Sequence, residues 1–399
     1  MDHARKLKTA FLFMLIIFFS AISGFYAGSV FQDPEDNKTV YADMRHATNI
    51  SDDSFSGHNV SARDFRLGPR SSNSGNFLIG IIAQKRHDWR TASNYFERLL
   101  DKDPNNIALK RRTMVLFLGS NQLDRAARIA SDLKSDNVSD AMASVILVLQ
   151  AVKNERFDEA LNVIENMSNT HDSKVVRPLL MAWVKAALGE LDVDNLLANP
   201  LYIYDAVSVA SYLDRKDESQ EIIQKALNQN GIVSYDLERI GDLLAQRDLN
   251  EKALTFYKAA RKQQGKNISR LTTKITALKQ TVSIDPDDFI VEPPATASQG
   301  LARSLFDISM VLFRQGADEP ARLYVSMAIA LKPDFTDARF LLGHIMTHEG
   351  QLDEAFRQYT AISKNEKGYL KAQRQAANIL EQAEHFDDAI VILENLEKS

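Results

Sequence analysis

Polar and apolar positions divide this chain into three regimes. Ala10 to Ile22 is almost wholly apolar. Residues 31–72 are polar, with isolated apolar positions and no sustained period of 2 or 3.6. From about residue 73 onward, apolar blocks alternate with short polar turns, as in consecutive amphipathic helices. Ser269 to Ile284 is a clear helical block, with Leu271, Ile275, Leu278 and Val282 at i, i+4, i+7 and i+11.

The helical regime is periodic. The stretch Gln351-Leu352-Asp353-Glu354-Ala355 has counterparts 34 residues later, around Asp387-Asp388-Ala389, and 34 earlier, around Asp318-Glu319-Pro320-Ala321. One column of mostly small residues runs Ala92, Ala126, Ala160 and Asp194, each 34 apart. It resumes at Ser219, Ala253, Asp287, Ala321, Ala355 and Ala389, again 34 apart. The step from Asp194 to Ser219 is 25, so one unit there is short or irregular. Asn199-Pro200 marks the expected turn, because proline disfavours helix in the residue before it. A second irregularity follows Ser269 to Ile284. Asp285-Pro286-Asp287-Asp288-Phe289-Ile290-Val291-Glu292-Pro293-Pro294 reads as a loop, either a hinge or a strand of chain laid back on the array. These breaks delimit one repeat block at 73–266, an irregular helix plus loop at 267–300, and a second block at 301–399.

The pattern resembles the tetratricopeptide-repeat (TPR) family, over about four-fifths of the chain. With the small residue placed at column 20, the family has small residues at columns 8 and 20, a large apolar residue at 24, and proline at 32. Here column 8 holds Gly80, Gly241 and Gly343; column 24 holds Phe96, Tyr257 and Tyr359 among others; column 32 holds Pro104 and Pro333. The resemblance implies an all-α fold, a right-handed α-solenoid of antiparallel helix pairs (a TPR superhelix) following an N-terminal hydrophobic segment. It implies that column 8 meets column 20 where the helices of a hairpin cross, and that column 24 fills the space between one hairpin and the next. A larger residue at the crossing would overpack it, at about 1–3 kcal/mol.

In the family, columns 2, 5, 9, 12 and 13 line a concave groove that holds protein or peptide partners. These columns place Met142, Val145, Leu149 and Val152 in one unit and Arg303, Phe306, Met310, Phe313 and Arg314 in another. They also pick out Phe340, His344 and His348, and then Arg374 and Asn378. The implied occupant is an extended or helical apolar segment. Alternatively, tight coiling of the array buries the same columns internally.

The N-terminal regime carries targeting information. His3, Arg5, Lys6 and Lys8 precede the apolar run. Residues 1–30 fit either a cleaved signal peptide, with Ala21-Ile22-Ser23 as a small-x-small site, or a retained anchor that holds a membrane through residues 10–30. Both readings place the array outside a bacterial inner membrane, anchored or free in the periplasm. Residues 31–72 cannot bury enough surface to offset chain entropy and read as a disordered tether. Its three Asn-x-Ser/Thr matches read as chance in an Asn/Ser-rich stretch, because Asn137, Asn166 and Asn267 begin the same pattern within the helical array.

Charge and chemistry narrow the function. The net charge of −5 argues against nucleic-acid binding. The absence of cysteine excludes disulfides and thiolate metal sites. No catalytic, cofactor or metal site is expected. His344 and His348 stand four apart on one helix but lack the glutamate of His-Glu-x-x-His and any evident third ligand. Asp285, Asp287 and Asp288 lack the glycine and distal glutamate of a calcium loop. Lys110-Arg111-Arg112 reads as a solvated or partner-facing patch, and Trp89 and Trp183 as hairpin packing. The last helix, Ala389 to Leu396, is apolar on more than one face, which raises an expectation of self-association at that end. The functional expectation is a non-enzymatic scaffold for protein–protein interaction at the periplasmic face, serving envelope, pilus or secretion assembly or cytochrome maturation. The other reading is the repeat arm of a larger enzyme, such as a glycosyltransferase, whose catalytic domain is absent from this chain.

Overall fold

A computed structural model describes residues 72–168, 173–228, 231–264 and 269–397. The expectations for residues 1–30 and for the tether up to residue 71, for Asn267, and for the side chains of Ser219 and Asp287 lie outside the described residues. Among the described residues, no helix is long and apolar enough to cross a membrane.

The described chain is all-α and runs as helix pairs. The first three pairs are α1 (Asn73–Lys85) with α2 (Trp89–Leu100), α3 (Ile107–Gly119) with α4 (Leu123–Ser135), and α5 (Ala141–Lys153) with α6 (Phe157–Glu165). The register then breaks. α7 (Ser173–Ala187) is followed by a single turn, α8 (Asp194–Leu197), and a 3-10 turn at Pro200–Tyr202. Pairs resume with α9 (Ile203–Tyr212) and α10 (Lys216–Asn228), then α11 (Ser234–Ala245) and α12 (Asn250–Gln264). α13 (Ser269–Lys279) packs on α12 but is followed by no second helix of its own unit; a loop containing the 3-10 turn Pro286–Asp288 stands there instead. The chain continues with α14 (Ala297–Arg314) and α15 (Asp318–Leu331), α16 (Thr336–His348) and α17 (Leu352–Thr360), and finally α18 (Tyr369–Gln382) and α19 (Phe386–Glu397).

Local chemistry sets the helix starts. Ser72, Asp88 and Asn106 each accept a hydrogen bond from the backbone N–H three residues on, at 3.0–3.1 Å. Asp140 does the same for Ala143 at the head of α5, at 2.9 Å. Such caps satisfy amides that have no partner within the helix.

The turn within each pair has one recurring device. His87, Asn121, Glu155, Asp214, Asp248, Gly316, Gly350 and Glu384 all adopt positive φ, between 51° and 75°. Each sits at column 15 of its unit, between the two helices. A left-handed residue there reverses the chain in very few residues. Glycine tolerates it, whereas a residue with a Cβ is strained.

Packing inside a pair rests on glycine against an aromatic ring. A Cβ added to Gly80 would stand 3.0 Å from the Phe96 ring, one on Gly241 2.5 Å from Tyr257, and one on Gly343 2.7 Å from Tyr359. These are columns 8 and 24 of the same unit. Column 24 thus packs within its own pair as well as toward the next one, where Arg112 lies over Phe96 and Lys274 Nζ stands 5.4 Å from the Tyr257 centroid. The ring lies across its own hairpin, on the bare backbone that glycine leaves open. Phe96 and Tyr257 are wholly buried by this arrangement, and a ring of that size stabilises by about 1.5–3 kcal/mol on leaving water. The two tryptophans use the same principle. Trp89 packs against Gly119 and Trp183 against Gly300, and both are buried.

The chain forms two compact units that do not follow chain order. One comprises residues 151–304; the other combines described residues up to 150 with residues 305–399. In the first, the indole of Trp183 donates to Ser304 Oγ at 2.9 Å, and Ser304 donates in turn to buried Asp205. In the second, Arg322 of α15 is almost wholly buried. Its guanidinium donates to the carbonyls of Gly119 (2.8 Å) and His87 (3.2 Å), pairs with Glu349 and lies over Trp89. Around it, Arg90 bonds Glu354 at 2.9 Å and Gln351 donates to the Arg86 carbonyl at 2.7 Å. Residues more than 200 positions apart are thus tied into one unit by polar contacts, of which the Arg322 bond to the Gly119 carbonyl is buried.

Candidate partner-binding surface

The most accessible set of expected groove residues lies on α14, α16 and α18, the first helices of the last three pairs. Phe313 meets His344 edge-on, with ring centroids 5.5 Å apart. Phe340 lies tilted against Tyr359 at 5.8 Å, and Lys371 Nζ stands 4.8 Å from the Phe340 centroid. Phe306 packs on Phe335 at 5.0 Å. Aromatic contacts therefore step from α14 to α16, and a cation–aromatic contact leads on to α18.

Accessibility sorts these residues. Phe306 is buried and belongs to the packing of the unit, while Met310, Phe313 and Phe340 are half-buried. Arg314, His344, His348, Arg374 and Asn378 are exposed. The surface thus has a half-buried aromatic floor with cationic and amide groups standing on it. Arg339 adds a half-buried guanidinium nearby in sequence. Burial lowers its pKa, and its Nε donates to the Pro333 carbonyl at 2.8 Å. Half-buried aromatics with adjacent polar groups are the composition of protein-binding surfaces.

The other expected groove residues are placed differently. On α5, Val145, Leu149 and Val152 are buried and Met142 is half-buried. Those three valine and leucine side chains are therefore not accessible to a partner. Arg303 is half-buried, with a guanidinium nitrogen 3.3 Å from Tyr235 Oη. The cationic run at 110–112 is wired to neighbours: Lys110 pairs with Asp136, Arg111 with Asp140, and Arg112 donates to Gln84 while lying over Phe96. His344 and His348 are engaged separately. His344 contacts Phe313, whereas His348 Nδ1 is 2.8 Å from Asp318 Oδ2. Among the described residues, no group of three or more His, Asp or Glu side chains is placed to hold a metal ion.

The most charged interior region was not read from the sequence. Lys274 of α13 is wholly buried and donates to Glu238 (2.9 Å) and Asp242 (2.7 Å) of α11. Arg270 forks onto both Glu238 oxygens, and Tyr257 Oη donates to Asp242 at 2.8 Å. Burial would push Glu238 up, but its bonds to Arg270 and Lys274 outweigh that and hold it below the usual carboxylate range. Burial dominates at Asp242 and raises its pKa. Asp242 also accepts the Ile290 N–H at 2.8 Å, and Gln246 donates to the Val291 carbonyl at 2.9 Å. The Asp285–Pro294 loop is therefore laid back on α11, one of the two arrangements its sequence allowed. A sequence signal existed: acids at columns 5 and 9 of one unit, with basic residues at columns 3 and 7 of the next. It was masked by the assumption that charge faces water.

No protein-family model matches the chain, and no curated protein matches it. Solved structures do. YrrB, described as a TPR protein with an unusual peptide-binding site, aligns at 17% identity over 54% of this chain and 90% of that one, with a TM-score of 0.24. An APC/C hetero-tetramer aligns at 13% identity over 78% of this chain and 56% of that one, with a TM-score of 0.27. The register and hairpin packing of the described residues themselves carry the structural description: an all-α array of antiparallel helix pairs that resembles tetratricopeptide repeats.

Proposed function

We propose that this protein is a non-enzymatic scaffold that holds a segment of another protein against α14, α16 and α18, at the periplasmic face of a bacterial inner membrane. The observation that carries the reading is the exposed and half-buried set Met310, Phe313, Phe340, His344, Arg374 and Asn378 on the first helices of three successive pairs. The aromatic residues offer apolar contact, and Arg374 with Asn378, one turn apart on α18, offers hydrogen bonds to a backbone or carboxylate. Export is supported by the basic start and apolar run of residues 1–30. A role in assembling envelope machinery fits a partner-holding array placed there.

The test is site-specific photocrosslinking in cells, with the reactive residue at Phe313 or His344 and a control at exposed Thr255 on α12. One partner captured at both surface positions and absent at the control is expected. Capture at the control alone, or at none of the three, overturns the surface. A reporter active only after export, fused at residue 75, tests the location separately. An inactive reporter overturns the periplasmic reading without touching the surface.

A further inference from the structure

We propose that the α12–α13 hairpin is a docking surface for an anionic phospholipid bilayer. The proposal is independent of the partner-binding face on α14, α16 and α18. It begins with a charge asymmetry: the whole chain is acidic, yet residues 250–280 contain eight Lys and Arg against the single acid Glu251.

The structure sorts seven of these charges; Lys266 lies outside the described residues. Arg270 and Lys274 are used internally, in bonds to Glu238 and Asp242. Lys258, Lys262 and Lys279 are exposed, Lys252 and Arg261 are half-buried, and none of these five has an acidic partner among the described residues. In the run at 110–112, by contrast, Lys110 and Arg111 are paired with Asp136 and Asp140. On α12 the buried face is Ala253, Phe256, Tyr257 and Ala260. Lys258 and Lys262, one turn apart, stand on the opposite side. The outer positions of α13 are the exposed threonines 272, 273 and 276.

The chemistry favours a bilayer over other anionic partners. Leu249, just before α12, and Val282, just after α13, are 39% and 56% exposed. Apolar side chains flanked by lysines suit the headgroup boundary, where the apolar groups enter and the ammonium groups meet phosphate. A single-stranded nucleic acid needs aromatic faces to stack on, and the stretch's two aromatics, Phe256 and Tyr257, are wholly buried.

The absence of cysteine allows a direct test on the full chain. Thr276→Cys is labelled with an environment-sensitive fluorophore. The protein is then reconstituted in nanodiscs of phosphatidylcholine alone, or with one-third phosphatidylglycerol. A blue shift and quenching by headgroup-attached quencher are expected only in the anionic discs, with loss of both in 1 M salt, where the screening length falls to about 3 Å. Lys258→Gln/Lys262→Gln/Lys279→Gln should lower the equilibrium constant of the contact roughly a hundredfold. Its far-UV circular dichroism should match the parent, since all three side chains are exposed. Equal signals in both lipids, or a contact that survives salt and the triple substitution, overturn the proposal. So does a label that ignores anionic lipid but responds to polyglutamate or oligonucleotide.

Discussion

The glycine–aromatic contact within each hairpin yields a graded prediction. Replacing the column-8 glycine with alanine has two opposing effects. Alanine favours a helix interior by about 1 kcal/mol over glycine, while its methyl group must find room beneath the column-24 ring. At Gly80 the methyl would stand 3.0 Å from the edge of Phe96, so the ring needs to yield only a few tenths of an ångström. At Gly343 it would stand 2.7 Å from Tyr359. At Gly241 it would stand 2.5 and 2.6 Å from two Tyr257 carbons, and that ring is held at its other end by the 2.8 Å bond to Asp242. Overpacking costs about 1–3 kcal/mol and rises as the neighbour's freedom to move falls. Gly80→Ala should therefore be neutral or slightly stabilising, Gly343→Ala destabilising by about 1 kcal/mol, and Gly241→Ala by about 2 kcal/mol. Urea unfolding followed by far-UV circular dichroism reads the order as midpoint shifts. Adding Tyr359→Leu to Gly343→Ala should recover part of the loss, because the smaller side chain leaves room for the methyl. Equal shifts at all three sites, or a stabilised Gly241→Ala, would refute the reasoning.

The left-handed turns give a gain of the opposite kind. Glu155 and Glu384 are exposed at φ 57° and 62°, so Glu155→Gly and Glu384→Gly should each stabilise by about 0.5–1 kcal/mol in thermal melts. Lys274→Met leaves Glu238 and Asp242 facing each other without their buried cation and should destabilise by about 3–5 kcal/mol. Restoring neutrality with Glu238→Gln and Asp242→Asn should recover part of that, and failure to recover any would show that packing, not charge, is lost. Burial raises the pKa of Glu349 above the ordinary glutamate value, although Arg322 and His87 draw it down. The folded form therefore binds this proton more tightly than the unfolded one. Its contribution to stability is complete below about pH 4.5 and is lost as pH rises through the folded value. The melting-temperature difference between the parent and Glu349→Gln should accordingly shift toward the parent on acidification, and a difference flat with pH would refute it.

The sequence by itself determined the helical class, the 34-residue register and both irregular slots. These follow from the spacing of apolar and small residues along a local helix, which needs no knowledge of distant neighbours. It also marked a short or irregular unit with a turn at Asn199-Pro200, where the structure has α8 and a 3-10 turn, because proline and a short register step act within a few residues. Column 15 was legible in principle: glycine, asparagine and aspartate recur there, but His87, Glu155 and Glu384 interrupt the signal. Tertiary structure alone decided three matters. It placed the aromatic ring over its own hairpin's glycine, since which atom reaches the opposite helix first depends on side-chain length and crossing geometry. It buried Leu149 and Val152 while leaving Phe313 and His344 accessible, although all occupy equivalent columns, because exposure depends on what packs across each helix. It also enclosed Arg322 and Lys274. Periodicity expects a charge at the surface, and only the convergence of carboxylates and carbonyls from distant residues makes burying one tolerable.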